Sequence, residues 1–198
     1  MNKKPAKAEA TRKRREAAAR KQRNRRLLIV GVLGVGLLVW AVIAVNSPPP
    51  EELADVEVFA DLGGGHLAEG DLAPTYNSDP PTSGPHSPVS TECGVYTSEV
   101  PDVTQVHNLE HGTVIIQYSP GLADSDVEAI GNFARSKPSH ILVAPRSNLS
   151  DPVVVTSWRR MLKLGVVDLD ALNVYYGEFV RTGPEVGVPC AFTVDEST

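Results

Sequence analysis

Three residues whose side chains bind metals or move protons stand together in the segment VHNLEHGT. His107 and His111 are four positions apart, and Glu110 lies three positions after His107. If the segment forms a helical turn, both imidazoles and the carboxylate project from one side of it. Gly112 suits the left-handed residue that ends such a turn. The spacing therefore predicts two histidines and a glutamate that face a common point.

A third histidine comes from a stiff loop, because His86 lies within YNSDPPTSGPHSP, residues 76–88. Pro85 and Pro88 restrict the backbone on either side of it, and Gly84 provides a turn. Three imidazoles, with a carboxylate or a water in the fourth position, suit Zn²⁺ or Cu²⁺. The predicted metal ligands are His86, His107, Glu110 and His111.

A structural role for these side chains is the first alternative. Histidine and glutamate before a strand often serve as hydrogen-bond partners of loop backbone, and a proline-rich segment has many carbonyls in need of donors. In this interpretation the domain is a non-catalytic interaction module of a membrane complex, and the loop is a recognition surface or a clasp. His66 and His140 match no ligand spacing and are interpreted as surface or hydrogen-bonded boundary residues.

A zinc-dependent hydrolase is the second alternative, because HNLEH matches H-x-x-E-H, in which two histidines bind zinc and the glutamate activates water. That chemistry needs a long helix and a further carboxylate ligand, for which Glu178 and Glu185 are candidates. Here Gly112 and a β-branched run follow at once. Other catalytic motifs are missing, so we assign no catalytic residue.

Regular elements follow the histidine motif and predict the fold. Strands are expected in TVIIQY, HILVAP and PVVVTSW, and amphipathic helices in SDVEAIGNFARS and DLDALNVYYGEFV. Ser125 and Glu128 have the spacing of a capping box. The order β-α-β-β-α predicts a small α/β domain with a mixed sheet. Part of the thioredoxin fold shares this order, but the chain has no C-x-x-C.

The N-terminal third predicts a membrane anchor. Residues 1–26 hold twelve of the nineteen Lys and Arg but only two of the 24 Asp and Glu, and an uncharged apolar run of nineteen residues follows at 27–45. Such a run can cross a bilayer core, and the basic tail should stay cytoplasmic. A proline-rich linker, 46–56, would then lead to an extracytoplasmic domain, 57–198. A protein partner is expected in the membrane or periplasm.

Charge and cysteine content support this topology. The basic tail adjoins the apolar run and lacks interleaved aromatic residues, so lipid attraction is favoured over nucleic-acid binding. The rest of the chain has seven basic and 22 acidic residues, a net charge of −15. Cys93 and Cys190 are the only cysteines and both fall on the extracytoplasmic side, where disulfides persist. We expect them to form a disulfide.

Several of these motifs also resemble a known family. YNSDPPTSGPH, CGVY and VHNLEHGTVIIQY, followed by ILVAP and VVVTSW, resemble the bacterial Domain of Unknown Function 3105 family over roughly residues 74–185. The resemblance implies a membrane-anchored or exported domain, with His86, His107, Glu110 and His111 on the motif positions. It implies no activity.

Overall fold

The computed structural model of the chain describes residues 53–72 and 74–196, which belong to one compact unit, Pro49–Thr198. The predicted basic tail, 1–26, and the predicted membrane span, 27–45, lie outside these residues. Among the residues described, no helix is long and apolar enough to cross a membrane.

Ten helices and strands make up this part of the chain, and three of them are helices. In order they are β1 (Glu57–Val58), β2 (Cys93–Val95), α1 (Asp102–Glu110), β3 (Val114–Tyr118), α2 (Asp124–Arg135), β4 (Ile141–Pro145), β5 (Val153–Ser157), β6 (Arg160–Leu164), α3 (Leu169–Phe179) and β7 (Phe192–Asp195).

The strands form one mixed sheet in the order β1-β6-β5-β3-β4-β2-β7. β3, β4, β2 and β7 run parallel to one another, whereas β5 is antiparallel to β3 and β6 is antiparallel to β5. The prediction of a single α/β domain with a mixed sheet is confirmed. The expected order β-α-β-β-α is present from β3 to α3, with β6 as an additional strand before α3.

β6 was not predicted, because its hairpin lacks the usual turn residues. Only Trp158 and Arg159 separate β5 from β6, and Arg159 adopts a φ of 65° without glycine or asparagine. Trp158 and Met161 of this hairpin are both buried.

The two faces of the sheet bury separate hydrophobic clusters. Val114 and Ile116 of β3 point to the cluster that contains side chains of α2 and α3. Ile115, between them, packs with Val106 and Leu109 of α1 on the other face. This alternation follows from the period of two along a strand. Helix α1 and its histidines therefore lie on the face opposite α2 and α3.

The capping box was predicted wrongly, and packed residues occur before position 57. The N-cap of α2 is Ala123, which makes no side-chain capping bond, so Ser125 and Glu128 form no capping box because both lie inside the helix. Leu53 falls in the predicted linker 46–56, yet it is 7% exposed and packs in the cluster beneath α2 and α3. The folded domain thus includes residues before 57, because the apolar side chain of Leu53 is buried there.

Candidate metal site

Helix α1 positions His107 and Glu110, and its end is shaped by glycine. His111 is the C-cap residue, and Gly112 follows with a φ of 82°. A Cβ at position 112 would lie 2.4 Å from the Cα of Arg181. Glycine is therefore required both for the left-handed backbone and for the close approach of another segment.

The proline-rich loop holds His86 against α1. The Tyr76 hydroxyl donates a hydrogen bond to the Pro85 carbonyl at 2.9 Å, and burial, with Asp102 adding to it, raises the pKa of Tyr76 to about 12. The phenol therefore remains a donor at neutral pH. The Ser87 N–H donates to the Val103 carbonyl in the first turn of α1 at 3.0 Å. His86 is fixed between these two attachments.

A second loop, residues 61–66 with the sequence DLGGGH, lies over the site and is called the glycine strap. It pairs with His86 through two backbone hydrogen bonds, from His86 N–H to the Gly65 carbonyl at 2.9 Å and from Leu67 N–H to the His86 carbonyl at 2.7 Å. A Cβ at Gly64 would lie 2.1 Å from Oε1 of Glu110. The strap therefore passes directly over the Glu110 carboxylate and brings His66 to His86.

Four side chains converge beneath and beside the strap. His66, His86, His107 and Glu110 each offer one ligand atom, and these atoms all lie within 4.8 Å of one another. His86, Glu110 and His107 are 0%, 5% and 7% exposed, whereas His66 is exposed. Ligands about 2.1 Å from a tetrahedral ion lie about 3.4 Å apart. A small contraction would thus place all four around one ion.

Hydrogen bonds to backbone carbonyls fix the tautomers of the buried histidines. Nδ1 of His86 lies 2.9 Å from the Gly84 carbonyl, Nδ1 of His107 lies 2.7 Å from the Ser87 carbonyl, and Nδ1 of His111 lies 3.1 Å from the Glu185 carbonyl. A carbonyl oxygen can only accept, so each Nδ1 carries a proton. In the neutral rings each Nε2 is left with a lone pair.

These Nε2 lone pairs point at other electron-rich atoms. Nε2 of His86 lies 3.0 Å from Oε2 of Glu110, but both atoms are buried and neither makes a hydrogen bond. Nε2 of His107 lies 2.7 Å from Nε2 of His111. Two lone pairs at these distances repel unless a cation lies between them. A metal ion or an added proton would remove that repulsion.

Burial keeps His107 in its neutral, ligand form. Burial is the largest effect and lowers the pKa of His107, and the neighbouring imidazoles of His111, His86 and His66 act in the same direction. The hydrogen bond to the Ser87 carbonyl opposes the change. A metal competes with protons for imidazole nitrogen, so a lowered pKa favours metal binding at neutral pH.

Residues 70–192 match the family described as "Protein of unknown function (DUF3105)", which is more than half of the chain. The chain belongs to this family. No curated protein and no solved structure is significantly similar to it. The matched DUF3105 region contains both cysteines and the four predicted ligands, and His66 lies four residues before it.

Three of the four predicted ligands, His86, His107 and Glu110, fall in the converging group of this DUF3105 domain. His111 is not part of the group, although its Nε2 lies 2.7 Å from that of His107, so its role as a ligand stays a prediction. His66 is exposed, as expected of a surface residue, but it also joins the converging group, which its spacing did not indicate. Spacing along the chain could not reveal it, because two loops bring it to His86. Its one sequence signal is the glycine run that lets the backbone approach.

His140 was interpreted as a hydrogen-bonded boundary residue, and the DUF3105 structure agrees. It is 4% exposed, and its Nε2 lies 3.0 Å from the Val188 carbonyl while its Nδ1 lies 2.8 Å from the Ser139 hydroxyl. Burial is the largest of the effects that lower its pKa. Both ring nitrogens are paired, so His140 has no free lone pair to offer an ion.

The expected disulfide between Cys93 and Cys190 is present, with the two Cα atoms 5.6 Å apart. It joins β2 to the segment before β7. The Asn108 amide lies 3.8 Å from the Cys190 sulfur, so the disulfide also contacts the helix that carries His107 and Glu110.

The geometry does not favour the H-x-x-E-H chemistry. The Glu110 carboxylate lies among the converging ligand atoms instead of behind them, and α1 is only nine residues long. Glu178 is exposed on α3, across the sheet from α1. Glu185 contacts His111 through its backbone carbonyl.

Proposed function

We propose that this DUF3105 protein is a membrane-anchored, extracytoplasmic domain that binds one divalent transition-metal ion, Zn²⁺ or Cu²⁺. His86, His107 and Glu110 supply the buried ligands, and His66 supplies a fourth. The observation that carries the proposal is the orphaned pair of His86 Nε2 and Glu110 Oε2, 3.0 Å apart and buried without a hydrogen bond. A metal ion satisfies both atoms at once.

The chemistry of the ligand set supports a borderline divalent cation. Imidazole nitrogen suits zinc and copper, and one carboxylate reduces the net charge of the bound ion. The carbonyls of Gly84 and Ser87 accept the other ring N–H of His86 and His107. Such outer partners orient metal-binding histidines and raise their basicity. The −15 charge outside the basic tail also attracts cations.

A proton is the competing occupant. With one added proton, His107 and His111 could share an N–H···N hydrogen bond at their 2.7 Å separation, and a protonated His86 could pair with Glu110. The cluster would then be a structural set of hydrogen bonds, as expected for a non-catalytic interaction module. This alternative predicts no selective metal binding.

Metal titration of the purified protein separates these occupants. We expect the wild type to bind one equivalent of Zn²⁺ or Cu²⁺ in calorimetry, with the ion retained through gel filtration. Loss of a ligand in His86→Ala should weaken binding at least about 100-fold, since even outer-partner changes cost 10- to 100-fold.

The matched control is His140→Ala, which removes an equally buried histidine whose two ring nitrogens are already paired. It should bind the metal as the wild type does. Equal and weak binding by all three proteins would mean that the histidines are structural.

The membrane location is proposed from the sequence. Residues 27–45 are apolar and uncharged, and the basic residues before them favour a cytoplasmic tail. The Cys93–Cys190 disulfide is consistent with an oxidising compartment. Protease added outside intact cells should digest the domain and leave the tail intact. Digestion of the tail alone would reverse the orientation.

A further inference from the structure

His66 differs from the other three converging residues in how it is held. His86, His107 and Glu110 are buried, but His66 is exposed. Its ring packs 5.1 Å from the His107 ring, centroid to centroid, in a stacked arrangement. Within the described residues neither of its ring nitrogens makes a hydrogen bond, so no outer partner fixes its tautomer or its orientation. Metal-binding histidines usually have such a partner.

The glycine strap that carries His66 is exposed and is held by few hydrogen bonds, chiefly the two backbone bonds to His86 and one from the Leu62 N–H to the Ser83 hydroxyl. Residues 61–66 are all exposed, and the N–H groups of Gly64, Gly65 and His66 make no hydrogen bond to any described residue. A short exposed segment with few hydrogen bonds opens at low free-energy cost compared with the core. By contrast, the buried ligands are held by α1 and by the anchored proline-rich loop. The strap can therefore leave by breaking its two backbone hydrogen bonds to His86, while α1 and the proline-rich loop keep the buried ligands in place.

We infer that His66 is a displaceable ligand, and that a small monodentate donor from solution takes its place on the metal when the glycine strap swings away. This inference rests on the metal site proposed above. Three fixed protein ligands with one exchangeable position are the arrangement of metal centres that bind substrates. The ligand class is therefore a small anion or neutral nitrogen donor that reaches the ion through the strap. In the exchange one metal–nitrogen bond breaks, one bond to the incoming donor forms, and no electron is transferred.

The glycines show how the closed strap fits the site. A Cβ at Gly64 would lie 2.1 Å from Glu110 Oε1, whereas a Cβ at Gly65 would have no atom within 4 Å and its backbone is outside the left-handed region. Gly64→Ala therefore pushes the strap away from Glu110. Gly65→Ala changes the same strap at a position that tolerates a side chain, which makes it a matched control.

Azide binding to the Cu²⁺-loaded full-length protein tests the inference. Binding is measured from the absorption band of the copper–azide complex. If the strap is closed in at least nine molecules of ten, its removal raises the apparent azide affinity about 10-fold or more. We expect that increase in His66→Ala and in Gly64→Ala, and no change in Gly65→Ala. His66→Ala should still bind Cu²⁺ far more tightly than His86→Ala.

The outcomes separate this inference from the proposed function. Failure of the wild type to bind Cu²⁺ overturns both, because a nitrogen and oxygen site that binds Zn²⁺ generally binds Cu²⁺ more tightly. If the wild type binds Cu²⁺ but azide affinity is equal in wild type and His66→Ala, His66 does not occupy an exchangeable position and only the inference fails. It also fails if His66→Ala loses Cu²⁺ as completely as His86→Ala, since His66 is then a permanent ligand. If Gly64→Ala binds Cu²⁺ as weakly as His86→Ala, the added methyl group has displaced the Glu110 carboxylate and not the strap.

Discussion

Two regions around α1 contain buried histidines with opposite hydrogen-bonding states. In the converging group, His86 has one ring nitrogen paired and the other directed at a carboxylate. Beside it, the segment 181–190, called the C-terminal clasp, pairs with histidines through its backbone, and His140 has both ring nitrogens satisfied. Burial is nearly equal in the two cases, at 0% and 4% exposure. A buried histidine is thus ready to bind a metal when one lone pair is left without a donor.

The clasp also completes the end of α1. The Arg181 N–H donates to the Gly112 carbonyl at 2.7 Å, and the Glu185 N–H donates to the Glu110 carbonyl at 3.0 Å. The second bond satisfies a carbonyl that the end of α1 leaves free, and the first attaches the residue after the C-cap. The clasp therefore stabilises the fold, whereas the converging group leaves polar atoms unsatisfied.

Removal of the disulfide should have the largest effect on stability. Cys93→Ala with Cys190→Ala opens a loop between residues 97 positions apart, which should lower the free energy of unfolding by about 5 kcal/mol. Urea unfolding measures this change. The metal affinity of the remaining folded protein should stay that of the wild type. A parallel loss of metal affinity would show that the clasp and the metal site are one unit.

Metal addition should have the second largest effect on stability, and this effect should depend on the converging group and not on the clasp. At a free metal concentration about 1,000 times Kd, binding stabilises the folded state by about 4 kcal/mol. The wild type should show this gain in thermal or urea unfolding. His140→Ala, altered in the region of the clasp, should start from a lower stability and gain the same amount. His86→Ala should gain almost nothing, and an equal gain there would place the metal elsewhere.

Acid should destabilise the metal-free protein through both regions. Burial lowers the pKa of His107 and of His140, so both are neutral in the folded state, whereas the unfolded chain takes up protons near pH 6.5. Stability should therefore fall as pH drops below about 6.5, by up to about 1.4 kcal/mol per pH unit and group, until the lowered folded pKa is reached.

Urea unfolding between pH 7.5 and 5.5 checks this dependence. His140→Gln should remove one part of the slope and leave the part due to His107. A stability that does not change over this range would contradict the neutral state of both histidines.

Much of the fold could be predicted from the sequence, because β3, α2, β4, β5 and α3 carry strong local periodicity. β2 and β7 could not, since each is short and becomes a strand only through its long-range parallel pairing. At the site, His107 and Glu110 share one helix, so their spacing was informative. His86 was recognised by its stiff loop. His66 was missed because the contact between the strap and the proline-rich loop leaves no periodic signal.

Glu110→Gln should have the smallest effect on stability, and its sign distinguishes a metal ligand from a structural ion pair. The amide is nearly the same shape as the carboxylate, and its NH₂ group can donate to the lone pair of His86 Nε2, which lies 3.0 Å from Oε2 in the wild type. The metal-free variant should therefore gain about 1 kcal/mol in the free energy of unfolding. It should also lose metal affinity, because a neutral amide is a poorer ligand. Glu185→Gln is the matched control, since that side chain is exposed and only its backbone contacts the site. A loss of metal-free stability in Glu110→Gln, with none in Glu185→Gln, would mean that the Glu110 carboxylate pairs with a protonated His86, and that the cluster is built around a proton.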